Sequence, residues 1–233
     1  MLTIRRSAAR GRAQFGWLDS RHTFSFGPYF DGDHMGFGPL RVINEDKVAP
    51  GRGFDAHAHA DMEILSIVLS GALAHEDSTG RSTVIRPGDV QRMTAGTGVR
   101  HSEFNASQDE PVHFLQVWII PEAQGLAPGY EQASIPRNAR RGRLTLLGSR
   151  DGRDGAVVIQ RDVDLHGAVL AGGQDVTHAI SSGRGVWVQV LDGALRTEAG
   201  VLEAGDGLAV VDEAELRLQA ADEAEFLLFD LAL

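Results

Sequence analysis

The chain has 233 residues, with 22 basic and 32 acidic side chains and a formal net charge of −10. That balance argues against partners read through a phosphate backbone, so nucleic acid is not an expected ligand. The absence of cysteine removes disulfides, thiolate metal sites, iron–sulfur clusters and cysteine nucleophiles, and the single lysine, Lys47, is the sole candidate for Schiff-base chemistry.

In chain order, the charged start Met1–Arg6 is followed by no apolar h-region, and no later run reaches the ~18 apolar residues of a membrane span. A cytoplasmic protein without a membrane partner is the expectation. The apolar runs are short: Ile64–Leu69, Phe114–Ile120, Val186–Leu191, Leu208–Val211 and Phe226–Phe229. They are rich in β-branched or aromatic residues and are punctuated by a large glycine complement, 28 in all. Few segments hold a 3.6-residue period, so the pattern predicts an all-β sandwich or barrel. The chain also repeats itself. Val68–Leu73 is echoed by Val190–Leu195 at an offset of 122, and the Gly-Asp turn at Gly88-Asp89 by Gly205-Asp206 at 117. The polar stretch Ser134–Arg143 interrupts the pattern and reads as a linker. Its four arginines suit a solvated linker better than an anion site, given the net charge. The predicted organisation is a first domain over residues 1–133, a linker over 134–145 and a second domain over 146–233.

Two close pairs carry the chemistry. His57 and His59 are separated by one residue, as are His101 and Glu103. On a strand, residues i and i+2 share a face, so each pair can present two ligands to one point inside a barrel. Three imidazoles and one carboxylate suit iron, nickel, copper, manganese or zinc. Neither pair is rare by chance at this composition, so the frame around them matters more. Gly51 stands six residues before His57; Gly98 stands three before His101 and Asn105 four after it. These spacings resemble the two cupin motifs. A cupin is a small β-barrel with its metal inside, and two in one chain make a bicupin. The usual cupin glutamate would fall near Glu63, whereas strand parity favours Glu103.

The text Gly16–Gly27, then His34–Val42, then Ala95–Glu103, resembles the pirin family, and its bacterial pirin-like branch with quercetin 2,3-dioxygenase activity in particular. The resemblance extends through Asp61–Ile64 and Gln116–Ile119. It is dense over residues 1 to about 133 and weaker to the C-terminus. It implies an all-β bicupin of two cupin (jelly-roll) barrels and one divalent transition metal held by His57, His59, His101 and Glu103. Iron is the first expectation; nickel, copper, manganese, cobalt and zinc are alternatives. Ala58 departs from the proline usual in the family, but it should face away from the metal. Applying the repeat offsets, His57 and His59 land on Ala179 and Ser181, and His101 and Glu103 on Leu218 and Ala220. The second barrel is therefore predicted to be degenerate, with His178 beside the aligned position on the wrong parity.

Other residues have plainer readings. His75 and His113 fit core or surface positions better than a pocket, and His22 and His34 fit loop structure better than the barrel mouth. Phe24, Phe26 and Phe37 fit core packing better than an apolar rim. Glu63 is a candidate to support the site from behind, not a ligand. The resemblance implies a dioxygenase that opens a flavonol ring with O2, with Glu103 acting as base as well as ligand. The alternatives are a metal-dependent regulatory protein with a protein partner and no turnover, and a cupin sugar enzyme, which the aromatic N-terminal segment disfavours. A monomer is expected.

Overall fold

The computed structural model describes all 233 residues. It holds two barrels, each built from a seven-stranded and a four-stranded sheet. In the first barrel the large sheet runs in the order Gly129–Ser134, Asp89–Thr94, Glu63–Ser70, Val112–Ile119, Leu40–Val48, Leu18–His22, Gly11–Gln14. Facing it is the small sheet Gly53–His59, Val99–Asn105, Leu73–Asp77, Ser82–Ile85. The second barrel repeats the plan. Its large sheet centres on Arg184–Asp192, Ala224–Ala232 and Val163–Leu170; its small sheet is Asp175–Ala179, Glu215–Ala220, Ala194–Thr197, Gly200–Glu203. One strand crosses over: Leu2–Arg5 pairs antiparallel with Gly207–Val210, tying the N-terminus into the second barrel's sheet. No helix is long and apolar enough to cross a membrane.

The two large sheets pack back to back. Ile43, Leu65, Ile67, Leu115 and Val117 from one side meet Leu165, Trp187, Leu227, Phe229 and Leu231 from the other in a core of 18 residues. This explains the continuous apolar runs. In Glu63–Ser70 the odd residues Leu65 and Ile67 face the neighbouring barrel, while the even residues Ile64, Ser66 and Val68 face their own interior. A strand buried on both faces loses its polar alternation. Phe24 and Phe37 join this inter-barrel core, their rings 4.8 and 5.7 Å from that of Trp187.

The linker arginines are not simply solvated. Arg137, Arg140 and Arg141 are tied to Glu223 and Glu225 at 2.7 to 3.0 Å, clamping the crossover onto the second barrel. The acidic partners lie more than eighty residues downstream, so sequence proximity gave no sign of them.

Candidate metal centre and its pocket

The strands Gly53–His59 and Val99–Asn105 run antiparallel with His57 opposite His101. Their register slips between His101 and Glu103, a bulge that re-aims the second half of the strand. Gly53 makes this approach feasible, because a Cβ there would lie 2.3 Å from the Glu103 carbonyl oxygen. Strand parity then turns His57, His59 and His101 inward, with ring centroids 4.5 to 4.9 Å apart. Ala58 is exposed on the opposite face. His57 and His101 face each other Nε2 to Nε2 at 3.1 Å. His57 Nδ1 donates to the Asp55 carbonyl at 2.8 Å, so Nε2 is the ring nitrogen turned to the cluster. His59 Nε2 is buried with no partner. Burial, aided by mutual repulsion among the imidazoles, depresses His59 to about 4 and His101 to about 3. Near neutral pH both rings are uncharged and present lone pairs to one point, which is what a metal requires.

Glu103 lies beside this point, its carboxylate within 4.8 Å of ligand atoms of His101 and His75. It is buried and accepts hydrogen bonds from Ser66 Oγ at 3.1 Å and from Gln116 Nε2. Burial pushes its pKa up in the metal-free chain; a bound cation would reverse that shift. The ladder of the large sheet extends the polar surface. Ser66 pairs with Gln116, Gln116 with Asn44, and Asn44 with His22, forming one buried row across four strands. His22 Nδ1 bonds Asn44 Oδ1 at 2.8 Å. His22 thus belongs to a strand and the pocket, not to a loop. His34 does lie in a loop, 2.9 Å from Asp31.

One step along the same strands sit Ser20 and Asp46. Asp46 Oδ1 is buried without a partner, and burial, with Glu103 and Glu45 adding, raises this carboxyl to about 7. These groups, with His57, His59 and Glu103, line a cavity of about 500 Å³, walled by Phe15, Trp17, Phe26, Phe54 and Trp118. That volume and mixture suit a small aromatic ligand. A larger hollow of about 840 Å³ lies in the cleft between the barrels, but its charges are largely paired with one another and no imidazole reaches it.

One further expectation needs correction. Glu63 does not support the imidazoles: it points to the outer face and accepts from Thr94 Oγ1 at 3.1 Å and the Gln160 amide at 3.2 Å. His75 is buried outside the cavity lining, as expected of a core residue, and it stands directly behind His101. Sequence reading also passed over Ser66, Gln116, Asn44, Asp46 and Asp77. A signal existed for two of them: Ser66 and Gln116 are lone polar residues inside apolar runs, at the parity that faces the barrel interior.

Comparison with known proteins decides the lineage. The family model described as Pirin matches residues 4–119, and that described as the quercetinase C-terminal cupin domain matches residues 146–231. The chain belongs to the pirin family. It is 43% identical over 231 residues to the quercetin 2,3-dioxygenase of Escherichia coli K12, covering 99% of both chains. A pirin-like protein of Caulobacter vibrioides is 38% identical over 95% of this pirin and 96% of its own length. Among solved structures, bacterial pirin YhhW from E. coli in complex with nickel(II) superposes with a TM-score of 0.95 at 42% identity, covering 100% of this chain and 99% of that one.

Proposed function

We propose that this pirin is a metal-dependent dioxygenase that opens a flavonol with O2, in keeping with the name its full-length E. coli relative carries. The carrying observation is that three imidazoles cluster together, two of them, His57 and His59, reaching an aromatic-walled cavity that the Glu103 carboxylate also lines. In this reading His57, His59, His101 and Glu103 hold one divalent transition metal. Iron remains the expectation that the family resemblance implies, the donor set itself suits several first-row ions, and nickel is the ion in the related E. coli structure. When bound, the metal lowers the pKa of a coordinated hydroxyl and gives the substrate a route to react with dioxygen.

The chain's own residues do the rest. Trp17, Phe26, Phe54 and Trp118 clasp the flat rings and exclude water. Glu103 accepts the proton of the flavonol hydroxyl. Ser66 and Gln116 hold its carboxylate in place, so the proton is received at a fixed position. Gln116 is itself held by Trp118, whose Nε1 donates to Gln116 Oε1 at 3.3 Å.

Oxygen uptake with quercetin, on protein of known metal content, tests this reading. Uptake proportional to bound metal is expected, with loss in the His57→Ala/His101→Ala variant. A chain carrying one metal but consuming no oxygen with any flavonol would instead favour a regulatory protein that binds without turnover. Glu103→Gln should leave the fold intact, weaken metal binding and cut turnover; undiminished turnover removes Glu103 from the proton step.

A further inference from the structure

Behind the imidazole cluster, on the side away from the cavity, a second buried pair faces His101. His75 and Asp77 lie on the adjacent strand Leu73–Asp77, and their side chains are 0% and 1% exposed. His101 Nδ1 faces His75 Nδ1 at 3.5 Å, and His75 Nε2 faces Asp77 Oδ2 at 3.1 Å. Asp77 Oδ1 is already engaged: it accepts from the Thr79 amide at 2.8 Å, the Thr79 hydroxyl at 2.6 Å and the Arg81 amide at 3.4 Å. Tyr130 packs on the His75 ring at 5.2 Å. Nothing in this assembly touches the substrate cavity, and the proposed reaction does not use it.

One assignment of donors and acceptors leaves His101 Nε2 free for a metal. A carboxylate can only accept, so His75 Nε2 must carry hydrogen. In this assignment His75 offers Nδ1 as the acceptor. His101 then donates to it from Nδ1, which leaves His101 Nε2 without hydrogen and aimed at His57 and the cluster centre. We infer that His75–Asp77 is a positioning relay, fixing the His101 tautomer and with it the strength of His101 as a metal ligand. Carboxylates that act on a ligand through its second ring nitrogen make it more basic and orient it. Here one more imidazole is interposed between carboxylate and ligand. The inference rests on the reading of His101 as a ligand.

The relay makes an unusual prediction about two variants. In Asp77→Asn the amide oxygen is claimed by the Thr79 and Arg81 donors, so the NH2 turns toward His75. It donates to Nε2, moves the His75 hydrogen to Nδ1 and forces the His101 hydrogen onto Nε2, where a metal should bind. Asp77→Ala leaves the tautomer free. The isosteric variant should therefore bind metal more weakly than the truncation, whereas a purely structural role predicts the reverse.

The full chain, stripped of metal and labelled with 15N-histidine, gives the tautomers directly from long-range 1H–15N correlations. The wild type should carry the His101 hydrogen on Nδ1, and Asp77→Asn should carry it on Nε2. Nickel(II) affinity, measured by chelator competition, should fall by about 10- to 100-fold in Asp77→Asn and by less in Asp77→Ala. A wild-type hydrogen on Nε2, wild-type nickel affinity in Asp77→Asn, or a second nickel that displaces the Nδ1 hydrogen overturns the relay. A wild-type chain that binds no nickel while keeping its hydrogen on Nδ1 overturns the metal reading instead.

Discussion

The two barrels share a strand plan and differ in what fills them. The second barrel's interior is a single apolar cluster of 16 residues. The first has only two small clusters, of seven and four residues, either side of the polar site. The ladders show where the exchange was made. The row Ser66, Gln116, Asn44, His22 corresponds by strand pairing to Val188, Leu228, His166, Leu146. His101 and Glu103 correspond to Leu216 and Leu218, because Ala106 bonds Ala72 just as Ala221 bonds Ala194. By the same ladders His57 corresponds to His178, not to Ala179, and His59 to Ile180. The simple offset was therefore one or two residues out, and one of the four positions keeps its histidine. His178 serves packing there: it bonds Asp230 at 2.7 Å, and Asp230 is also held by Arg184. One fold can thus be stabilised by a filled interior or leave room for chemistry in a polar one, at the same register positions.

The sharpest break in this comparison is His57→Ala/His101→Ala, which should abolish metal binding and flavonol-dependent oxygen uptake. A comparable change in the second barrel, Leu218→Glu, should leave the ligand set untouched. It buries an unpaired carboxylate in a fully apolar core, however, and should destabilise the chain by roughly 3–5 kcal/mol in urea unfolding.

Acid should act through carboxylates that anchor each half. Burial would raise Glu45, but the hydrogen bond from His113 and the Arg10 guanidinium overcome it and hold the group at about 2. A depressed acid contributes stability above its unfolded value near 4.5, and that contribution is lost as pH falls toward 2. The loss is at most roughly 3 kcal/mol, and it should vanish from the pH–stability profile of Glu45→Gln. Asp230 is likewise lowered, as His178 and Arg184 outweigh its burial, so the second barrel should respond in the same direction.

The smallest effects should be the most symmetrical. Gly71 and Gly193 end matching strands at φ +78 and +71, and an added Cβ would lie 2.7 and 2.0 Å from the carbonyl oxygens of Pro111 and Glu223. Alanine at either should cost about 1–2 kcal/mol for the left-handed backbone alone, plus the cost of relieving the clash. Similar losses in thermal unfolding would show that the turn serves the barrel, whatever the barrel contains.

Much of this was readable in advance. The β-branched runs, the glycine punctuation and the repeat all reflect rules that act over a few residues, and period-two parity was enough to place His57, His59 and His101 on one inward face. The misreadings have a common cause. Glu63 looked supportive because of its position in a motif, yet parity turns it toward the other barrel. The linker arginines looked solvated because their acidic partners are remote in sequence. Phe26 looked like core, as Phe24 and Phe37 are, yet it packs on Trp118 at 5.3 Å and lines the cavity.

The sequence by itself determined the strand class, the two-fold plan and the inward presentation of the imidazoles, because strand geometry is local and repeats every two residues. Only the tertiary structure decided which polar residues join across four strands, and that His75 and Asp77 stand behind His101. Those relations depend on strand register and on a bulge, which are set by pairings between segments far apart in the chain.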